Sequence, residues 1–246
     1  MGKDVKIIAD KLDANEITVI QKYIQNIRQI INDEISVTIL DSNYKSDYNV
    51  SMKHYDEIIS KNPGVKIDNF YITHYLQSQE KNNINKFTKE YMGHEQFTSE
   101  KKKNGQRAFI EDGHVRVLIN LNKAGTITNV DFFQKNQKNP HQRAFINSSG
   151  NIQCIRHFNV QKKIPTMDEY LDTNLRPYIM LKYDKKGLCS SYEFVNEVKR
   201  KFYSEIDLYE EWFNRVIKKE DYVINLNRHF DIIFRQKYAA DRLFLM

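Results

Sequence analysis

The 246-residue sequence predicts an α/β layer that is interrupted by an inserted antiparallel β-sheet. Near both ends of the chain, apolar residues recur at the spacing of an amphipathic helix. Between residues 91 and 192 they alternate instead, and glycine turns separate the apolar runs. Alternation around glycine turns is typical of β-hairpins. We therefore predict a discontinuous α/β domain, residues 1–85 and 190–246, and an inserted β-sheet domain, residues 90–189.

The first part of the chain predicts a strand, a helix and a second strand. Val5 to Ile8 is a short apolar run, and Ile35 to Leu40 is a second one rich in β-branched residues. Between them, from Glu16 to Ile31, isoleucines recur on one helical stripe. A strand, a helix and a strand in so short a span favour a parallel-sheet unit, and we predict a Rossmann-like layer here.

The next segment is less regular. Tyr55 to Ile59 predicts a short helix, whereas Asn69 to Leu76 (NFYITHYL) resembles a strand. Gln79 to Lys86 is rich in lysine and asparagine, and we expect a loop.

The middle of the chain repeats the pentapeptide QRAFI, at Gln106 and at Gln142. Each copy runs into a glycine turn, so we interpret the repeat as one arm of two hairpins in a meander. The second turn is one residue longer than the first, which argues against a solenoid of fixed period. Because each is the second residue of its copy, we expect Arg107 and Arg143 to occupy equivalent places in the two hairpin arms.

The last part of the chain returns to helical spacing. Ser190 to Glu193 has the form of a capping box and predicts a helix. A second helix is expected from Ser204, followed by a strand at Tyr222 to Leu226 and a helix or turn at Asp231 to Tyr238. Arg242 to Met246 resembles a further strand. Because this apolar run stops with the chain, we expect a truncated chain or one half of a larger protein.

Composition excludes several classes of protein. Lysine and arginine number 38 against 32 acidic residues, so the formal charge of +6 favours acidic partners only mildly. No apolar run is long enough for a transmembrane segment, and the N-terminus has no signal-peptide core. The two cysteines, Cys154 and Cys189, lack metal-site spacing, so we expect reduced thiols in the cytoplasm. With no nucleic-acid fold motif, we expect no nucleic acid partner.

Motifs for catalysis are absent from the sequence. It contains no phosphate-binding loop, no dinucleotide fingerprint and no nucleophile elbow, so we predict no catalytic residue, cofactor or metal. Open α/β sheets bind ligands at the loop after the first strand. That loop has no glycine, and its candidate residues are Asp13, Asn15 and Glu16.

Four arginines on the predicted meander strands are the candidate acceptor-binding residues. Each lies near an aromatic residue in the sequence, and guanidinium groups bind phosphate through paired hydrogen bonds. The alternative is that arginine stems cover aromatic rings across neighbouring strands. The four residues are Arg107, Arg143, Arg156 and Arg176.

The order of these features resembles a known family. The loop Leu12-Asp13-Ala14-Asn15 is similar to a Leu-Asp-x-Asn loop, and RAFIEDG, NKAG, RAFINSSGNIQCIRHFN and PYIMLKYDKKG are similar to the arms of an inserted sheet. Tyr222 to Met246 is similar to the segment that returns to the first Rossmann domain. Together they resemble the N-terminal half of bacterial family 4 retaining glycosyltransferases with an inserted β-sheet domain. These include poly(glycerol-phosphate) α-glucosyltransferases of teichoic acid synthesis and enzymes that glycosylate serine-rich adhesins.

The resemblance implies a function, but this sequence also departs from the family pattern. In the family a pair of glycines follows the loop, where this chain has Ile17 and Thr18, and a second Rossmann domain binds the nucleotide sugar. We therefore expect an acceptor-binding half, for a cell-wall polymer or a polypeptide, that is inactive without a donor-binding domain. The alternative is a non-catalytic assembly subunit that pairs with a glycosyltransferase or with itself through the sheet. Either would lie in the cytoplasm, with peripheral contact to the inner face of the membrane as a further option.

Overall fold

The computed structural model describes residues 4–31, 36–45, 47–77, 98–102, 105–195 and 200–237. They divide into two compact units. The α/β unit lies within residues 1–45, 51–73 and 205–246, and the sheet unit lies within residues 46–50 and 74–204.

The α/β unit is built on a four-stranded parallel sheet. Its strands are β1 (Asp4–Ala9), β2 (Ser36–Asp41), β3 (Val65–Asn69) and β14 (Tyr222–Asn225), in the order β14-β1-β2-β3. The α-helices among the described residues are α1 (Ala14–Ile31), α2 (Tyr48–Lys61), α3 (Phe70–Gln77), α4 (Glu205–Val216) and α5 (Asp231–Lys237). The predicted strand–helix–strand start is confirmed.

Aromatic side chains fill much of the core of the α/β unit. Phe213 is fully buried, and its ring centroid lies 5.2 Å from that of Trp212 and 5.2 Å from that of Phe230. Phe70 packs edge-on against Tyr209 at 5.2 Å. The helical stripes that the periodicity selected are buried at their centres, at Ile20, Ile24 and Ile27 of α1 and at four residues of α4.

The sheet unit contains a ten-stranded antiparallel meander in which each strand pairs with the next along the chain. This confirms the predicted inserted sheet. Its strands are β4 (Thr98–Lys101), β5 (Arg107–Glu111), β6 (His114–Leu121), β7 (Ile127–Phe132), β8 (Gln142–Ile146), β9 (Ile152–Asn159), β10 (Ile164–Leu171), β11 (Pro177–Tyr183), β12 (Cys189–Phe194) and β13 (Arg200–Phe202).

Two predicted elements are wrong. Asn69 to Leu76 is not a strand: β3 ends at Asn69, whose side-chain oxygen accepts hydrogen bonds from the backbone N–H groups of Tyr71 (3.1 Å) and Ile72 (3.0 Å) and so starts α3. Asparagine in this position is a strong helix cap. The predicted helix from Ser190 is strand β12, because this segment pairs with β11. Predictions for residues 79–86 and 242–246 lie outside the described residues.

The two copies of QRAFI do not occupy equivalent places. In the ladder, Arg107 lies opposite Ile119, which lies opposite Val130 and then Ala144. Arg143 therefore belongs to the neighbouring row, with Asp131, Leu118 and Ala108. Because successive side chains in a strand point to opposite faces, a shift of one residue puts Arg107 and Arg143 on opposite faces of the sheet.

The two cysteine thiols differ in access to solvent. Cys154 on β9 is 2% exposed, and burial raises the pKa of its thiol, whereas Cys189 on β12 is partly exposed. Since the thiolate is the reactive form, we expect an aromatic disulfide reagent to label Cys189 in the folded protein and Cys154 only after unfolding. Measuring released thiol in Cys189→Ser, with and without denaturant, tests this. Fast labelling of native Cys189→Ser would contradict it.

Candidate functional site

In the loop after β1, the carboxylate of Glu16 occupies the position at which an anionic ligand would otherwise bind. Glu16 accepts hydrogen bonds from the backbone N–H groups of Asp10 (2.5 Å), Lys11 (2.7 Å) and Leu12 (2.5 Å). Leu12 adopts a positive φ of 53°, which turns these donors toward one point. Consecutive backbone donors of this kind bind phosphate in other proteins. Here Glu16 already occupies them.

The other two loop candidates have separate roles in the local structure. Asp13 accepts from the backbone N–H groups of Asn15 and Glu16, both at 3.0 Å, and so caps the start of α1. Asn15 is exposed on the first turn of that helix. A role in ligand binding for Asp13, Asn15 and Glu16 stays a prediction.

The adjacent strand end carries a buried ionic group that the sequence analysis missed. Asp41 at the end of β2 is fully buried, and its carboxylate contacts the Lys45 ammonium at 2.8 Å and accepts from the Tyr55 hydroxyl at 2.7 Å. Burial, followed by the charge of Asp41, raises the pKa of Tyr55. In the sequence, the feature that could have indicated this group was an acidic residue directly after the predicted second strand. Because its partners satisfy this carboxylate, we interpret it as structural.

Two of the four candidate arginines meet on the sheet. Cross-strand pairing places Asp131, Arg143, Arg156 and Asp168 side by side on β7, β8, β9 and β10, and we name these residues the arginine row. Arg143 donates to Asp131 through Nε (2.6 Å) and Nη2 (3.0 Å). Arg156 donates to Asp168 through the same two nitrogens, both at 2.7 Å. The outer carboxylates thus compensate two cations that lie directly opposite each other.

Aromatic rings hold the two guanidinium groups from neighbouring strands. Arg143 lies over the ring of Phe158, 5.9 Å from its centroid, and Arg156 lies over that of Phe145 at 5.6 Å. The Tyr183 hydroxyl donates to Asp168 at 2.7 Å, and burial together with that carboxylate raises its pKa. The arginines therefore cover aromatic rings, as the alternative explanation states, and their planes are fixed in place. Phosphate binding by these arginines stays a prediction.

The arginine row can also contact a ligand. The side chains of Arg143 and Arg156 are 36% and 35% exposed, whereas those of Asp131 and Asp168 are 7% and 1% exposed. Each arginine uses Nε and Nη2 for its aspartate and, among the described residues, Nη1 has no hydrogen-bond acceptor, so it is available for an oxyanion. Prepositioned guanidinium groups lose less side-chain entropy on binding than free ones.

The other two arginines lie elsewhere. Arg107 is exposed on the opposite face of the sheet, as the register shows. Arg176 lies at the start of the β11 arm, where its Nε donates to Asp172 at 3.2 Å and half of its side chain is exposed. The structure thus brings together Arg143 and Arg156, and separates Arg107 from Arg143.

The described residues contain neither a candidate metal site nor a helix that could span a membrane. Histidine, cysteine and acidic side chains in that part of the chain form no cluster that could hold a metal ion. No helix there is long and apolar enough to cross a membrane.

Comparison with known proteins gives a match by structure alone. No family model and no curated protein matches the sequence. TarM from S. aureus, solved as a variant with Fondaparinux, α-GlcNAc-glycerol and UDP, matches with a TM-score of 0.70 at 16% identity over 92% of this chain and 46% of that chain. The pneumococcal O-GlcNAc transferase GtfA, with UDP and GlcNAc, matches with a TM-score of 0.56 at 14% identity over 91% and 43%.

The chain has the fold of one half of these proteins. It spans less than half of their length, and the low identity establishes the fold alone. The predicted Rossmann-like layer with an inserted sheet, and its resemblance to half of a glycosyltransferase, are confirmed at that level. A glycosylation-associated protein complex from S. agalactiae also matches, with a TM-score of 0.60 at 12% identity over 90% of this chain and 46% of that chain.

Proposed function

We propose that this chain is the acceptor-binding half of a retaining glycosyltransferase that acts on a cell-wall polymer of the teichoic acid type or on a polypeptide. The shared fold supports the enzyme class. The observation that carries acceptor binding is the arginine row, because two fixed, half-exposed guanidinium groups suit a repeating anion. A cytoplasmic site of action belongs to the same proposal.

Isothermal titration tests acceptor binding. We expect poly(glycerol phosphate) to bind with an affinity that falls steeply as salt rises, because each neutralised phosphate releases a counterion. A neutral glucan of similar length is the matched control and should not bind. Equal binding of both polymers, or of neither, would contradict an acceptor of the teichoic acid type.

We expect that this chain alone does not transfer a sugar from a nucleotide sugar to an acceptor. Glu16 occupies the three backbone donors at the strand end where a sugar phosphate would otherwise bind. Incubation of the purified protein with UDP-glucose or UDP-GlcNAc and acceptor polymer should release no UDP above background. UDP release that depends on the acceptor would refute this prediction.

A non-catalytic assembly subunit is the second candidate. One observation favours it: within the described residues β4 is an edge strand of the meander, its four residues are exposed, and exposed edges pair with other strands. The structural neighbours include a glycosylation-associated protein complex. Sedimentation of the chain alone and with a candidate transferase distinguishes the two functions, because this role requires a stable complex and no polymer affinity.

A further inference from the structure

A cavity opens on the sheet unit at some distance from the arginine row. Its volume is about 660 Å³. Polar side chains that bind anions and hydroxyl groups line it, together with an apolar floor. The lining includes Lys102, Gln106, His114, Leu118, Phe133 and Lys138. Lysine ammonium and glutamine amide groups can bind the anionic and hydroxyl groups of a substituted polyol or sugar, and the aromatic ring can pack against its carbon atoms.

The cavity retains the positive charge of Lys138, because the nearby carboxylates pair with other cations, one of which is the lining residue Lys102. Glu100 contacts Lys102 at 2.7 Å, Glu111 contacts Arg116 at 2.5 Å, and Asp112 contacts Lys135 at 2.9 Å. Within the described residues, Lys138 forms no ion pair with a carboxylate. Its ammonium group is exposed and can bind an anion directly.

A chain of side-chain hydrogen bonds joins the cavity to the arginine row. Gln106, on the cavity wall, donates to Asn120 at 2.6 Å, and Asn120 donates to Asp131 at 3.2 Å. Asp131 in turn accepts from Arg143. These contacts require that the cavity wall and Arg143 share one face of the sheet.

Strand spacing gives the distance that a ligand must span. Leu118 lies on β6, and Arg143 and Arg156 lie on β8 and β9, so the arginines are two and three strands away from the cavity. At about 4.8 Å a strand, this is roughly 10–14 Å. One sugar phosphate cannot contact both places, whereas consecutive units of a polymer can.

We propose that the cavity and the Arg143–Arg156 pair form one extended site, in which an anionic polyol- or sugar-phosphate polymer crosses β6 to β9. One repeat unit lies in the cavity beside Lys138, and a later phosphate contacts the arginines. An acidic peptide fits less well, because peptides commonly add to a sheet edge, and β6 to β9 have no free edge. This inference rests on the proposed function and adds the site and the ligand class.

The test compares polymer binding by three variants. Lys138→Gln removes the cavity cation that has no carboxylate partner among the described residues. The double variant Asp131→Asn/Arg143→Gln removes one of the two row cations together with its partner, so the net charge is unchanged and no buried carboxylate is left unpaired. Arg107→Gln is the matched control, because this arginine has the same sequence context on the opposite face.

At low salt we expect Lys138→Gln and the double variant each to weaken poly(glycerol phosphate) binding about tenfold, with no change for Arg107→Gln. Glycerol phosphate alone should bind weakly, and its affinity should fall in at most one of these two variants. Equal losses in all three variants, or none in the first two, would overturn the extended site while leaving polymer binding intact. Tighter binding of polyglutamate than of the phosphate polymer would overturn the ligand class. No polymer binding by the unsubstituted protein would instead refute the proposed function.

Discussion

Replacing Arg156 with alanine is expected to lower the free energy of unfolding by about 3 kcal/mol. Asp168 is fully buried and accepts two hydrogen bonds from Arg156, both at 2.7 Å, and one from the Tyr183 hydroxyl. Without the guanidinium group, the carboxylate stays charged inside the sheet with the hydroxyl as its remaining hydrogen-bond donor. The cost is that of an unpaired buried charge rather than of a lost surface ion pair.

Urea unfolding followed by far-ultraviolet circular dichroism measures this change. Arg107→Ala is the control, since that arginine is exposed, and we expect a change within about 0.5 kcal/mol. Asp168→Asn/Arg156→Gln should recover most of the lost stability, because neither partner is then charged. A loss in this double variant as large as in Arg156→Ala would show that packing on Phe145, rather than charge, explains the effect.

Replacing Phe213 with alanine is expected to lower the stability of the α/β unit by about 4 kcal/mol. Phe213 is fully buried among Trp212, Phe230 and Phe234, with ring centroids 5.2, 5.2 and 5.4 Å away. Removing the ring eliminates its apolar burial and leaves a cavity that rigid neighbouring rings cannot fill.

The single tryptophan, Trp212, reports on this unit by fluorescence during denaturation. Ile232→Ala on α5 is the matched control, because Ile232 is 53% exposed and its loss should cost less than about 1 kcal/mol. Similar denaturation midpoints for Phe213→Ala and Ile232→Ala would show that the aromatic cluster does not stabilise the unit as its packing indicates.

The sequence by itself determined the two kinds of architecture. Isoleucines at helical spacing before Ile35 to Leu40 predicted the β1-α1-β2 start, and glycine turns between alternating runs predicted the meander. Both signals are local: they depend on a period within one element and on residues that favour a tight turn. Local signals failed where strand pairing overrode a helical pattern, as at Ser190, where the preceding strand β11 is the hairpin partner.

Only the tertiary structure decided which arginines lie together. QRAFI is the same in both copies, yet Arg107 lies opposite Ile119 and Arg143 lies opposite Asp131. A sequence shows the alternation of each strand but not the register between strands, and one residue of register exchanges the two faces. The pairing of Arg143 with Arg156, and of each with a buried aspartate, arises from that register. The candidate residues could be selected from the sequence, but their grouping on one face is a property of the folded sheet.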